Sequence, residues 1–360
     1  MKRICFTIGS TDIKSGIVKV VLNLIRELRC DNNYKISVLS IKEITKKDIF
    51  FEYMPDNIEL LTLNINDNAR KTVIFSAIPE LIKFFNKHNF DTIIISGMEF
   101  VIPFYVAGLI TKTKTKFIAW EHLNFFAGPK FRLEWIGKRI AIKYFKNIVT
   151  ITKKDFNQYI NYKKNTPVYQ IYNVGKYPAR TNEYNSNTKK IISVGYLAHI
   201  KGFDMLMDIA RKVFDIYPEW SWDIYGEGTE RLNLETKIKE LNLENNVHLK
   251  GYSSDINNKY SEYSMFVLTS RQEGMGMVMI EAQKAGLPVI SFDIPCGPSD
   301  IIVDGINGYL VKPFDIEKMA SKIAELIENT EKRKVFSDNS TVNHMELENE
   351  FILKKWKEIL

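Results

Sequence analysis

A chain of 360 residues, 45% hydrophobic and 26% charged, exceeds what one core usually supports and is too apolar to stay disordered, so two folded domains are expected. Three distant cysteines (Cys5, Cys30, Cys296) and five scattered histidines form no CxxC or HxxxH spacing, which argues against a disulfide framework or structural metal and fits a reducing cytoplasm. The net charge of +7 is concentrated: residues 1–170 hold 27 Lys and Arg against 15 Asp and Glu, and residues 111–164 hold 13 against 3.

Taken in chain order, the opening MKRICFTIGSTD is broken at Thr7 and Gly9 and reads as a first strand rather than a signal-peptide core. RICFTI (3–8), KISVLS (35–40), DTIIIS (91–96), KFIAW (116–120) and NIVTI (147–151) read as strands, several with no polar alternation, as in a sheet covered on both faces. VKVVLNLIREL (18–28) and VIFSAIPELIKFF (73–85) have helical spacing between them. VIPFYVAGLI (101–110) is about half the length that crosses a bilayer. The alternation is that of an α/β domain.

GKYPARTNEYNSNTKK (175–190) is almost free of apolar residues and reads as a linker between domains at 1–174 and 191–340. Beyond it the pattern repeats: IISVG (191–195), WSWDIYG (220–226), VHLKG (247–251), SMFVLT (264–269) and LPVISF (287–292) alternate with helical segments such as FDMLMDIARKVF (203–214). In both halves the first strand runs into glycine and a helix, a turn whose free N–H groups suit an anion but which is also an ordinary connection. Neither half contains GxGxxG or a Walker lysine, which argues against a dinucleotide fold or P-loop ATPase.

SMFVLTSRQEGMGMVMIEA reads as a buried strand, a loop at 270–276 and a helix beginning near Met275 to Met277. Gly274 and Gly276 expose backbone N–H donors for phosphate oxygens, and Glu273 falls at the carboxyl edge of the sheet, where open α/β folds bind ligands. Glu281, on an otherwise apolar stretch, needs a partner, and a ribose diol would supply one. Ion pairs of Glu281 with Lys284 and of Glu273 with Arg271 are the purely structural alternative.

With these residues in view, the second half resembles the nucleotide-sugar domain of family four glycosyltransferases, the retaining group with GT-B architecture. The likeness rests on SVGYLAHIKGFDML, DIYGEG, VHLKGY, SMFVLTSRQEGMGMVMIEAQKAGLPVIS and GPSDIIVDGINGYLV, in the family's order. The first half matches more thinly, through SGIVKVVLNLIREL and AWEH at 119–122. The resemblance implies two Rossmann-like α/β domains facing each other across a cleft, the first binding the acceptor, with residues 341–360 forming a helix that packs back on it. Glu273 would then contact the donor sugar, and Glu281 would accept hydrogen bonds from the ribose. The backbone at Gly274, Met275, Gly276 and Met277 would meet sugar hydroxyls and diphosphate. Lys201 would offset charge on the leaving nucleotide, Gly16 would bring N–H groups from the first domain, His122 would face the donor sugar, and Lys250, Gly251 and Tyr252 would lie by the nucleobase. One departure is Tyr196, where the family usually has a second diphosphate-binding arginine; Arg271 is the candidate substitute, with pairing to a neighbouring acid as its alternative.

The expected activity is retaining transfer of a hexosyl residue from a nucleotide diphosphate sugar, with UDP favoured, to a saccharide hydroxyl in surface polysaccharide assembly. No metal and no cofactor are expected, since no DxD arrangement is present. A lipid-linked acceptor is expected, reached from the inner face of the cytoplasmic membrane through the basic, aromatic segment WEHLNFFAGPKFRLEWIGKRIAIKYFK, whose charge attracts anionic headgroups; a solvated lysine-rich face is its alternative. A GT-B-shaped nucleotide-sugar epimerase and a non-catalytic nucleotide-sugar-binding protein are the alternatives in function. RNA binding is ranked last, because no aromatic ribonucleoprotein strand occurs.

Overall fold

The computed structural model describes residues 1–11, 16–44, 50–66, 70–125, 132–162, 166–177, 184–342 and 344–360. Asp12, the middle of the expected linker (178–183) and part of the basic aromatic segment (126–131) lie outside the described residues. The chain divides into two compact units, Met1–Gly175 with Glu346–Leu360, and Lys176–Met345.

The first unit runs β1 (Lys2–Ile8), α1 (Gly16–Leu28), β2 (Tyr34–Lys42), α2 (Phe50–Tyr53), β3 (Glu59–Ile65), α3 (Arg70–Lys87), β4 (Thr92–Ser96), α4 (Val101–Thr111), β5 (Lys116–Trp120), α5 (Leu133–Tyr144), β6 (Asn147–Thr150), α6 (Lys153–Tyr162) and β7 (Val168–Gln170). Its seven strands are parallel in the order β3-β2-β1-β4-β5-β6-β7. β4 is buried along its whole length, because helices cover both faces and each side chain of TIIIS meets a core. α1 buries Val18, Val21, Leu22, Ile25 and Leu28, the three-and-four spacing of one helical face.

The second unit runs β8 (Lys190–Val194), α7 (Phe203–Phe214), β9 (Ser221–Tyr225), α8 (Arg231–Glu240), β10 (Val247–Gly251), α9 (Ile256–Lys259), β11 (Met265–Leu268), α10 (Met277–Lys284), β12 (Val289–Phe292), α11 (Pro298–Ile301), β13 (Gly308–Val311), α12 (Ile316–Glu328) and α13 (Thr330–Asp338). Its six parallel strands are ordered β10-β9-β8-β11-β12-β13. Tyr184 donates to Ser264 O at 2.6 Å and Ser186 is buried, so the end of the polar stretch already packs on this unit. The last helix, α14 (Asn349–Ile359), belongs to the first unit. Its Trp356 is fully buried, 4.8 Å from the Trp120 ring centroid, and Asn349 exchanges two hydrogen bonds with the Gly175 backbone.

Both sheets reverse strand direction of progression beside their first strand, between β1 and β4 in one unit and β8 and β11 in the other. Ligands of open parallel sheets bind outside the carboxyl ends at that switch point, where adjacent loops part. β3, β7 and β13 are absent from the strands read in the sequence. All three are sheet edges, and β3 alternates while β7 and β13 are only three and four residues long, so none presents a long apolar run.

Candidate active site

In the second unit, the loops leaving β8 and β11 carry the most specific sequence features to one place. Lys201 Nζ donates to Glu273 Oε1 and Oε2 at 2.6 and 2.7 Å, and Ser270 Oγ donates to Glu273 Oε1 at 2.6 Å. Glu273 is 7% exposed. Seventy-two residues apart in sequence, Lys201 and Glu273 meet because their strands are neighbours across the switch point. Their approach needs Gly202, which follows Lys201 at φ +67°: a Cβ there would lie 2.0 Å from Thr269 O. Gly276, at φ +76°, then starts α10 in the left-handed region. Met275 is buried beneath the loop, while Gly274 and Met277 are partly exposed.

Arg271 is placed differently from the expectation for a second diphosphate cation. Its Nη1 and Nη2 form a two-pronged pair with Asp204 Oδ1 and Oδ2, both at 2.6 Å, and Nη1 also donates to His199 O at 2.8 Å. Pairing with a neighbouring acid is therefore what the geometry shows, and the hydrogen bonds to Arg271 hold the Asp204 carboxyl below its usual range. The pair ties the loop after β11 to the turn bearing Lys201. Tyr196, in the same turn, is half exposed.

Glu281 lies on α10 and accepts from the hydroxyl of fully buried Tyr260 at 3.0 Å. Burial and the adjacent carboxylate raise the Tyr260 phenol well above its normal range, so it remains a donor. The alternative ion pair of Glu273 with Arg271 does not form; Glu273 pairs with Lys201. Lys250, Gly251 and Tyr252 lie at the carboxyl end of β10, where Gly226 N bonds Gly251 O at 2.9 Å and Tyr252 is exposed. Lys250 Nζ is 3.9 Å from Asp223, which also receives the Tyr263 hydroxyl at 2.8 Å.

In the first unit a cavity of about 280 Å³ opens at the switch point between β1 and β4, lined by Gly9, Ser96, Glu99, Phe100 and His122 among others. His122 is 7% exposed, packs on the Trp120 ring at 4.4 Å, and its Nε2 has no hydrogen-bond partner. Burial alone pushes its pKa down to about 3, so the imidazole is neutral at physiological pH. Ser96 Oγ, also buried, is likewise without a partner. Unmatched buried polar atoms at a cavity wall are positions where a ligand hydroxyl is favoured. Gly16 opens α1 next to this wall and is exposed, with no atom within 4 Å of a would-be Cβ.

Sequence reading alone misses Ser270, Asp204, Tyr260 and Ser96, which have no motif spacing and become site residues only by contact. Among the described residues, no group of three or more His, Cys, Asp or Glu side chains is placed to hold a metal ion.

An uncharacterized glycosyltransferase of Haemophilus influenzae is 28% identical over 361 residues, covering 100% of both chains. The amylovoran biosynthesis glycosyltransferase AmsD of Erwinia amylovora is 28% identical over 290 residues, 78% of this chain and 80% of that one. A mutant of S. aureus TarM, solved in complex with Fondaparinux, alpha-GlcNAc-glycerol and UDP, matches 100% of this chain and 99% of its own with a TM-score of 0.84 at 18% identity. That likeness identifies the fold as GT-B, two Rossmann-like parallel-sheet domains. Residues 179–342, in the second unit, match the family model described as glycosyl transferases group 1.

Proposed function

We propose that the protein transfers a hexosyl residue from a UDP-sugar to a hydroxyl of a saccharide acceptor, with retention of the anomeric configuration. The observation that carries this reading is the Lys201–Glu273 pair at the switch point of the second sheet, flanked by the Gly274–Met277 backbone. An ammonium and a carboxylate that satisfy each other have matching partners in the donor: diphosphate oxygens for Lys201, sugar hydroxyls for Glu273. Glu281 takes the ribose hydroxyls, and Lys250 to Tyr252 flank the base.

In the reaction, the bond from the anomeric carbon to the leaving phosphate oxygen breaks while the acceptor oxygen bonds to the same face of that carbon. The acceptor proton passes to the departing phosphate oxygen. Lys201 and the loop N–H groups stabilise the charge that grows on the nucleoside diphosphate, without a metal ion. His122, neutral in its apolar setting, hydrogen-bonds a sugar hydroxyl and does not need to accept a proton. The UDP and alpha-GlcNAc-glycerol held by TarM support the nucleotide and the α-linked product, and the amylovoran relative supports a role in polysaccharide assembly. The acceptor is lipid-linked, and the protein works as a peripheral protein on the inner face of the cytoplasmic membrane, a reading supported by the basic stretch at 111–164.

Incubation with a panel of UDP- and GDP-sugars, with and without a lipid-linked acceptor, tests this directly. Acceptor-dependent release of UDP is expected, and the proton coupling of the new anomeric centre should be that of an α-linkage. Epimer formation without acceptor, or a β-linked product from an α-linked donor, would overturn the assignment.

A further inference from the structure

Residues 121–125 leave β5 as a short loop that is held from inside the first unit. The Lys138 ammonium, 2% exposed, has three acceptors for its three protons: Glu121 Oε2 at 3.0 Å, Asn124 O at 2.7 Å and Phe125 O at 3.0 Å. Glu121, also 2% exposed, accepts from Leu123 N at 3.1 Å and from the Tyr159 hydroxyl at 2.8 Å. Asp155 Oδ1 accepts from Phe125 N at 2.5 Å. His122 sits within this clamped run and lines the cavity, its Nε2 buried without a hydrogen-bond partner.

Removing a lysine and a glutamate from water is costly, and a buried ion pair of this kind is often no more stabilising than apolar side chains of the same volume. What the pair supplies here is a fixed geometry. The residue before Lys138 reinforces the point: a Cβ on Gly137 would lie 1.7 Å from Met98 O, so α5 approaches the loop after β4 as closely as a glycine allows. Two consecutive residues of α5 thus set two of the cavity's walls, Gly137 the one carrying Ser96 and Glu99, Lys138 the one carrying His122.

We propose that Glu121 and Lys138 are positioning residues, which act by holding the loop after β5 so that His122 keeps its place in the cavity wall. The kinetic part of the inference rests on the transferase reading above, whereas the structural part does not.

The test combines chemical labelling with a double-mutant cycle. Diethyl pyrocarbonate modification of His122, followed by mass spectrometry, should be slow in the native protein. It should rise on the order of tenfold in Lys138→Met and in the near-isosteric Glu121→Gln, as the loop opens locally, and stay unchanged in Arg139→Met on the exposed face of α5. Transfer turnover should fall about 10- to 100-fold in Lys138→Met, the scale of a misplaced reacting group, with the donor KM little altered. In a His122→Ala background the same substitution should have no further effect on turnover. Equal losses in both backgrounds, or unchanged labelling in both clamp variants, would overturn the proposal. If Lys138→Met does not fold, Glu121→Gln carries the cycle. If no donor is turned over by the native protein, the transferase reading fails while the labelling still decides the positioning.

Discussion

Lys201 and Glu273 occupy each other, so neither is idle charge and each has a separate consequence when removed. Lys201→Ala should lower turnover at saturating donor by about 100- to 1,000-fold, the cost of losing one charge-stabilising donor; near-native turnover would contradict its role. Glu281→Ala should weaken UDP binding by roughly 1.5–3 kcal/mol, the worth of a hydrogen bond to a charged group, as titration calorimetry can measure, whereas Glu273→Ala should mainly slow transfer. His122 makes a pH prediction with a definite sign. Its folded pKa of about 3 lies below the ordinary 6.5, so below pH 6.5 the unfolded chain binds the extra proton and stability is lost as pH falls toward 3. The loss should approach about 1.4 kcal/mol per pH unit within that window. Denaturant unfolding of the native protein and His122→Gln at pH 7 and 5 should show the variant with the flatter dependence. Turnover of the native protein should show no limb near pH 6.5 that His122→Ala removes.

At the scale of elements, the joint between β8 and α7 decides whether Lys201 and Glu273 meet at all. Gly202 combines a left-handed backbone with an approach that leaves 2.0 Å between a would-be Cβ and Thr269 O, so Gly202→Ala requires two adjacent loops to separate. We expect a loss of about 2–4 kcal/mol in the second unit, read as a lower urea midpoint, together with loss of transfer because Lys201 no longer reaches Glu273. The Arg271–Asp204 pair spans the same two loops and ties them together.

For the whole molecule, α14 follows the second unit in sequence and yet completes the first unit, its Trp356 filling a site against Phe6 and Trp120. Trp356→Ala should cost about 3–5 kcal/mol, seen as early unfolding in calorimetry. Among the described residues of 111–164 the surface charge is more one-sided than the composition. The acids Glu121, Glu134 and Asp155 are all buried, whereas Lys112, Lys114, Lys116, Arg139, Lys143 and Lys146 are exposed beside the exposed Leu109, Ile110, Ile136 and Tyr144. Among the described residues no helix is long and apolar enough to cross a membrane. The protein should therefore bind vesicles containing anionic lipid at low ionic strength and leave them as salt is raised; failure to bind at low salt would count against a membrane-surface role.

Sequence alone determined the two α/β halves, because buried parallel strands are continuous apolar runs between helical periods, and these are local properties of DTIIIS or SMFVLT. It also marked Glu273, Glu281, Lys201 and His122, whose neighbours in the chain carry family motifs. Tertiary structure alone decided the partners: Glu273 with Lys201 rather than Arg271, Arg271 with Asp204, and Glu281 with Tyr260. Lys138 shows the difference most directly. Its sequence neighbourhood is a basic, aromatic stretch suited to a surface, and the fold buries it against Glu121. Strand order, set by which apolar faces pack together, brings residues dozens of positions apart within bonding distance, and no local pattern encodes that meeting.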